Sequence, residues 1–211
     1  MDFLEFNGFF NTVMSDNGLS HLIDEAKSRK LYILMDHILE INKSMNLTRI
    51  TEPRELILRH YIDSLTLLPH IPEGTRLIDV GCGAGFPSLP LAIVRPDLQI
   101  TALDSTDKKV RYVNRAAELL GVSDHLQAIT ARAEDAAAPG APLREQFDVV
   151  TGRAVARLNV LAEITLPFVR VGGTTIAWKG PGVQDEMTAA KRAAFVLGGT
   201  VRGVEPAPVP R

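Results

Sequence analysis

The sequence predicts an α/β fold: a doubly wound parallel sheet behind an N-terminal helical extension. Three observations predict it. Leu77, Ile78 and Val80 form a short apolar run, broken only by Asp79, that ends at once in Gly81, Gly83 and Gly85. A continuous apolar run closing in a glycine turn is the pattern of a central parallel strand. A second apolar run, 98–103, ends on Asp104, about 20 residues past the glycines, where such folds place the acid that grips a ribose diol. From Thr75 onward strand-like and helix-like segments alternate, which is the pattern of a parallel sheet covered on both faces.

Residues 1–72 are read as the helical extension and 73–211 as the sheet domain, one compact unit. Phe3, Phe6, Phe10, Val13 and Met14 have amphipathic spacing over residues 1–16, and Asn17-Gly18 breaks that helix. Apolar residues at three- and four-residue steps predict a long helix from Ser20, as its cap, to about Ser44. Pro53 suits the first turn of a third helix running to Leu68, before Pro69. Strands are expected near 76–80, 98–103, 126–130, 147–151 and 174–178, with Val171-Gly172-Gly173 as the turn into the fifth. Helices are expected near 87–95, 106–120, 158–169 and 183–197. Thr200–Glu205 has the alternation of one more strand, but no returning strand follows it. The chain is therefore truncated or the sheet ends differently, with a poorly anchored C-terminus.

Composition excludes several classes. No apolar run approaches the ~20 residues of a membrane span. The N-terminal segment carries acids where a secretory signal needs positive charge. A single cysteine, Cys82, leaves no internal disulfide and no cysteine-rich metal site, so no metal is assigned and a cytoplasmic enzyme fits. The net charge of −2 argues against affinity built on bulk phosphate neutralisation, so a nucleic-acid partner would need a local basic face.

The glycine loop is the most informative stretch. Its glycines would let a ligand lie against bare backbone, with free N–H groups offered at the following helix start. A dinucleotide fingerprint requires glycine or alanine where Phe86 stands. The spacing Asp79-Val-Gly-Cys-Gly-Ala-Gly85 instead resembles D-x-G-x-G-x-G, the motif of class I S-adenosylmethionine (SAM) methyltransferases, and a nicotinamide reductase takes second place.

The resemblance extends beyond this loop. Asn46-Leu-Thr-Arg-Ile50, Arg59-His-Tyr-Ile-Asp-Ser-Leu65, the loop through Pro87, Leu103-Asp-Ser105, Ala131-Arg-Ala-Glu134, Gly152-Arg-Ala154 and Trp178-Lys-Gly180 together resemble the RsmG (GidB) family. That resemblance implies a Rossmann-like SAM-dependent methyltransferase of guanine N7 in 16S ribosomal RNA (rRNA) of the small subunit. It further implies that Gly81, Phe86, Ala133, Glu134 and Arg153 contact SAM, with Asp104 on the ribose. Asp79, Gly83 and Gly85 complete the expected cofactor loop. Asn46, Arg59, His60 and Arg153 are candidates for positioning the substrate, within a basic rim of Arg49, Arg54, Arg59, Arg153 and Arg157. The chain is read as a monomer that engages neither DNA nor membranes.

Guanine N7 carries a lone pair and no proton, so no general base is assigned. Asp79 has the alternative of capping its own loop, Asp104 that of capping the next helix, and His60 that of packing. Cys82, enclosed by the loop, is read as a packed thiol and not as a nucleophile. A methyltransferase acting on another RNA or a small molecule, and a non-catalytic SAM- or RNA-binding module, are the remaining alternatives.

Overall fold

The computed structural model describes residues 1–153 and 156–206. Five parallel strands form one sheet: β1 (Arg76–Val80), β2 (Gln99–Asp104), β3 (Leu126–Thr130), β4 (Phe147–Arg153) and β5 (Val169–Trp178). Their order is β3-β2-β1-β4-β5, so the chain reverses direction across the sheet between β1 and β4. A crevice outside the carboxyl ends of these two strands is where such a sheet binds ligands. In register, Asp79 faces Thr151 and Val80 faces Gly152.

The period of two distributes β1 between two cores. Leu77 joins a large cluster that contains Ile100, Ala102 and Val149 and continues into the N-terminal helices. Ile78 and Val80 point the other way, with Leu103, Val150 and Phe168. On the first face lie α1 (Phe3–Asp16), α2 (Glu25–Met45), α5 (Ser88–Val94) and α6 (Asp107–Leu120). Phe6, Phe10, Leu31, Leu34 and Tyr61 are fully buried there, so the extension shares one apolar core with the sheet. Short α7 (Ala133–Ala136), α8 (Leu158–Thr165), running into a 3₁₀ turn (Leu166–Phe168), and α9 (Val183–Val196) follow β3 among the described residues.

Several boundaries differ from the sequence expectation. Asp24, not Ser20, caps α2, because its carboxylate accepts the Lys27 N–H at 2.8 Å, while Ser20–Leu22 is a separate 3₁₀ turn. The third helix begins at Pro53 as expected but changes character: α3 (Pro53–Leu56), a π-helical stretch (Ile57–Ile62) and α4 (Asp63–Leu65). It ends at Leu65 rather than Leu68. The wider turn lets His60, Tyr61, Ile62, Asp63 and Ser64 all be buried, which a regular amphipathic helix would not do. β5 starts five residues early; Gly172-Gly173 is an irregularity within the strand and not a turn before it. A Cβ on Gly173 would stand 2.7 Å from the Asp148 carbonyl, so the glycine permits the close strand approach. The 200–205 segment forms no strand among the described residues. Apart from half-buried Val201 it is exposed, so its alternation buries little, and Glu205 meets His70 at 3.3 Å. The last part of the expected C-terminal segment, 207–211, lies outside the described residues.

Candidate active site

The turn from β1 into α5 folds upon the end of β2. The Leu103 carbonyl accepts the N–H groups of both Gly81 and Cys82, at 2.8 and 2.9 Å. Asp104 then reaches back: one carboxylate oxygen accepts the Gly83 N–H at 3.0 Å, and the other accepts Thr106 N–H at 2.8 Å. Gly85 N–H is bonded to the Cys82 carbonyl at 2.8 Å. The amides of Gly81, Cys82, Gly83 and Gly85 are thus satisfied within the loop and by the end of β2. What remains open is space. Gly83 has a φ of +56°, and the nearest atom to a Cβ there would be the Gly81 carbonyl at 3.9 Å.

Asp79 is buried beneath the loop. Its carboxylate accepts hydrogen bonds from Ser88 Oγ at 2.6 Å and Thr151 Oγ1 at 3.0 Å. Burial pushes its pKa up to about 6, while the two hydroxyls and the Arg153 charge pull it down. Its role in the structure is to tie α5 to β4. Burial, with the nearby Asp79 and Asp104 charges, also raises the Cys82 thiol, which fits a packed residue and not a nucleophile.

On the β4 side, Arg153 turns towards the helical extension. Its guanidinium donates to His60 Nδ1 at 2.8 Å, to the Arg59 carbonyl at 3.1 Å and to Asp63 at 3.3 Å. Because Nδ1 accepts, His60 carries its proton on Nε2 and donates it to Thr48 Oγ1 at 2.9 Å. The His60 ring lies 4.3 Å from that of Phe86 at 12°, and the Arg153 guanidinium sits 5.6 Å from the same ring. Phe86 is 3% exposed, so its side chain is a structural bridge and only its backbone can border the crevice. Trp178, at the end of β5, donates to the Asp63 carbonyl at 3.3 Å. The extension is thereby fastened to the carboxyl ends of β4 and β5.

Other expected residues are distributed unevenly. Ala133 and Glu134 open α7 just beyond β3, next to Asp104, whose carbonyl accepts the Ala131 N–H at 3.2 Å. Exposed Glu134 pairs with Arg132. Asn46 ends α2 in the left-handed conformation, φ 49°, with its side chain exposed. Arg59 pairs with Glu55, and Arg54 lies 5.2 Å from the Phe9 ring, so the expected basic rim is partly consumed by local contacts. Ala154, the end of the Gly-Arg-Ala segment, lies outside the described residues. Sequence reading gave no site role to Thr48, Asp63, Ser88, Thr151 and Trp178; Thr48, Asp63 and Trp178 lie in segments that carry the resemblance, whereas nothing local announces the bonds of Ser88 and Thr151 to Asp79.

The profile of the rRNA small subunit methyltransferase G family (GidB) matches residues 27–207, a span containing Asp79, Asp104, Arg153 and the partners named above. A ribosomal RNA small subunit methyltransferase G of Lactobacillus johnsonii is 45% identical over 192 residues, covering 89% of this chain and 80% of that one. Its namesake in Clostridium kluyveri is 38% identical over 206 residues, covering 97% of this chain and 84% of the other. Among solved structures, the Pyrococcus horikoshii protein PH0793 matches with a TM-score of 0.55 at 16% identity, over 64% of this chain and 51% of that one. The geranyl diphosphate C-methyltransferase of Streptomyces coelicolor, solved with S-adenosyl-L-homocysteine, matches at 0.50 and 18% identity, over 63% of this chain and 55% of its own length. These structural likenesses establish the sheet architecture alone. By its sequence, the chain belongs to the rRNA small subunit methyltransferase G (GidB) family.

Proposed function

We propose that this chain methylates guanine N7 in 16S rRNA of the small ribosomal subunit, using SAM as methyl donor. The observation that carries the reading is the family match: it spans the whole crevice at the β1/β4 switch point. The residues present fit the donor. Each Asp104 oxygen spends one lone pair on a backbone N–H and keeps another, so the carboxylate can accept both hydroxyls of a ribose. Gly83 leaves the adjoining space clear, with Gly81 and Gly85 shaping the turn. Ala133 and Glu134, beside Asp104, would border the base of the nucleoside, and Phe86 would contribute backbone.

When bound, SAM supplies an activated methyl group on a sulfonium, so the difficult chemistry belongs to the cofactor. The protein's part is to orient, to exclude water and to shape the field. No residue is required to take a proton, and His60 is unsuited to do so: both ring nitrogens are engaged, and burial and Arg153 hold its pKa down to about 3. Arg153, bonded to His60, Arg59 and Asp63, holds its guanidinium between the end of β4 and the helical extension. N7 lies on the major-groove edge, which is inaccessible in A-form RNA, so the target guanine must be unpaired or turned out.

The test offers labelled SAM to the protein with small subunits, large subunits, or a pool of small metabolites. Label entering RNA of the small subunit supports the reading. Label entering metabolites, with none in either subunit, overturns it in favour of a small-molecule methyltransferase.

A further inference from the structure

We infer that the groove between α2 and α6 is a docking track for the RNA backbone of the substrate, an inference that deepens the reading above and rests on it. The groove has a volume of about 340 Å³. One wall is His37, Ile41 and Met45, spaced four residues apart on α2; the other is Lys108, Arg111 and Arg115 on α6. Tyr112 forms its base, stacked on His37 at 5.5 Å and 10°. Lys108, Arg111 and Arg115 are exposed and follow one face of the helix over about 10 Å.

A solvated basic helix face would need no explanation, but three features favour a ligand here. No carboxylate lines the groove among the described residues, and Arg111 alone of the three cations has an ion-pair partner there, Asp107. The opposite wall is apolar, and burial lowers the His37 pKa, so this wall adds neutral surface against which an anionic chain can lie. The groove also leads to the active site. The Lys108 end adjoins the start of α6, where neighbouring Lys109 stands 3.7 Å from Asp104. The Met45 end runs into Thr48, which is bonded to His60. With a net charge of only −2 for the whole chain, this local concentration of three cations supplies the basic face that phosphate binding needs. None of the arginines of the rim expected from sequence is among its lining residues.

The experiment replaces the three residues together (K108A/R111A/R115A) and compares the protein with wild type and with a control altered on α9 (K191A/R192A), where both residues are exposed. The substrate is small subunits from cells lacking the modification. The triple variant is expected to bind them about tenfold or more weakly, with the slope of log Kd against log salt reduced by about 2, if each cation meets one single-stranded phosphate. KM for subunits rises, while kcat at saturation, SAM affinity and Tm stay at wild-type values. Binding and KM equal to wild type, or a loss matched by the α9 control, overturns the inference. Loss of binding to subunits but not to their deproteinised RNA also overturns it and assigns the groove to a ribosomal protein. If wild type transfers no methyl to small subunits, the proposed function fails, and the binding arm still decides on the groove.

Discussion

His60 Nδ1 accepts a hydrogen bond from Arg153 at 2.8 Å, while the imidazole ring lies parallel to Phe86 with centroids 4.3 Å apart. One residue of the helical extension is thus clamped between the end of β4 and the loop after β1. The two sides of the crevice are set by the same contact. A histidine so placed is neutral, with its pKa held down to about 3 by burial first and by Arg153 second.

The first prediction concerns that proton. Because the folded pKa lies below the unfolded 6.5, the unfolded chain takes up the proton first. The contribution of His60 is therefore whole above pH 6.5 and drains away as pH falls towards 3, at about 1.4 kcal/mol per pKa unit. In NMR titration, the His60 ring resonances stay flat from pH 8 to 5; a midpoint near 6.5 would show that the clamp does not exist.

Asp79 has the opposite sign. Its folded pKa, about 6, lies above the unfolded 3.8, so its contribution is whole below pH 3.8 and is lost as pH rises through 6. Asp79→Asn removes the buried charge while keeping the shape and one acceptor for Ser88 or Thr151. The variant should be more stable than wild type at pH 8, by at most about 3 kcal/mol, with the gap falling to about 1 kcal/mol at pH 4.5 and closing below pH 3.8. Urea unfolding at both values measures this, and a gap independent of pH contradicts it.

Gly85 tests the loop. Its φ is +86°, and an added Cβ would lie 2.4 Å from Leu89 Cδ1. Gly85→Ala should cost about 1–3 kcal/mol. Adding Leu89→Ala relieves the contact but not the backbone strain, so it should not restore the stability read by urea unfolding. Full recovery in the double variant would show that the dihedral angle does not matter.

Asp104 is predicted to carry the cofactor. Asp104→Ala removes the acceptor for a ribose and for the Gly83 and Thr106 amides. Loss of a charged acceptor of this kind is worth about 1.5–3 kcal/mol, or roughly 10- to 100-fold in Kd for SAM by calorimetry. Unchanged affinity removes the cofactor assignment.

Much of this was legible in the chain because the signals are local. Leu77–Val80 reads as a buried strand from its apolar run alone, and Gly81, Gly83 and Gly85 announce the positive φ angles that the turn adopts. Asp104 could be found by its distance from the glycines. What was not legible depends on tertiary contact. The π-helical stretch 57–62 exists because His60, Tyr61 and Asp63 each find partners on other elements: Phe86 and Arg153, the Leu31 carbonyl, and Arg153. Asp79 reads from sequence as a ligand contact or a cap of its own loop; it accepts the Ser88 backbone N–H just past that loop, and also hydroxyls nine and 72 residues away that no local pattern announces. The start of β5 was misplaced because two glycines read as a turn, where the strand needed them for close approach.

The central claim is tested most directly by mapping the methyl. Small subunits from cells lacking the enzyme are incubated with the protein and labelled SAM, and their 16S rRNA is cleaved chemically at N7-methylguanosine. The account predicts one labelled site, an N7-methylguanosine, lost with Asp104→Ala. Label on an exocyclic amine, a ribose or a pyrimidine, or in no rRNA at all, would contradict it.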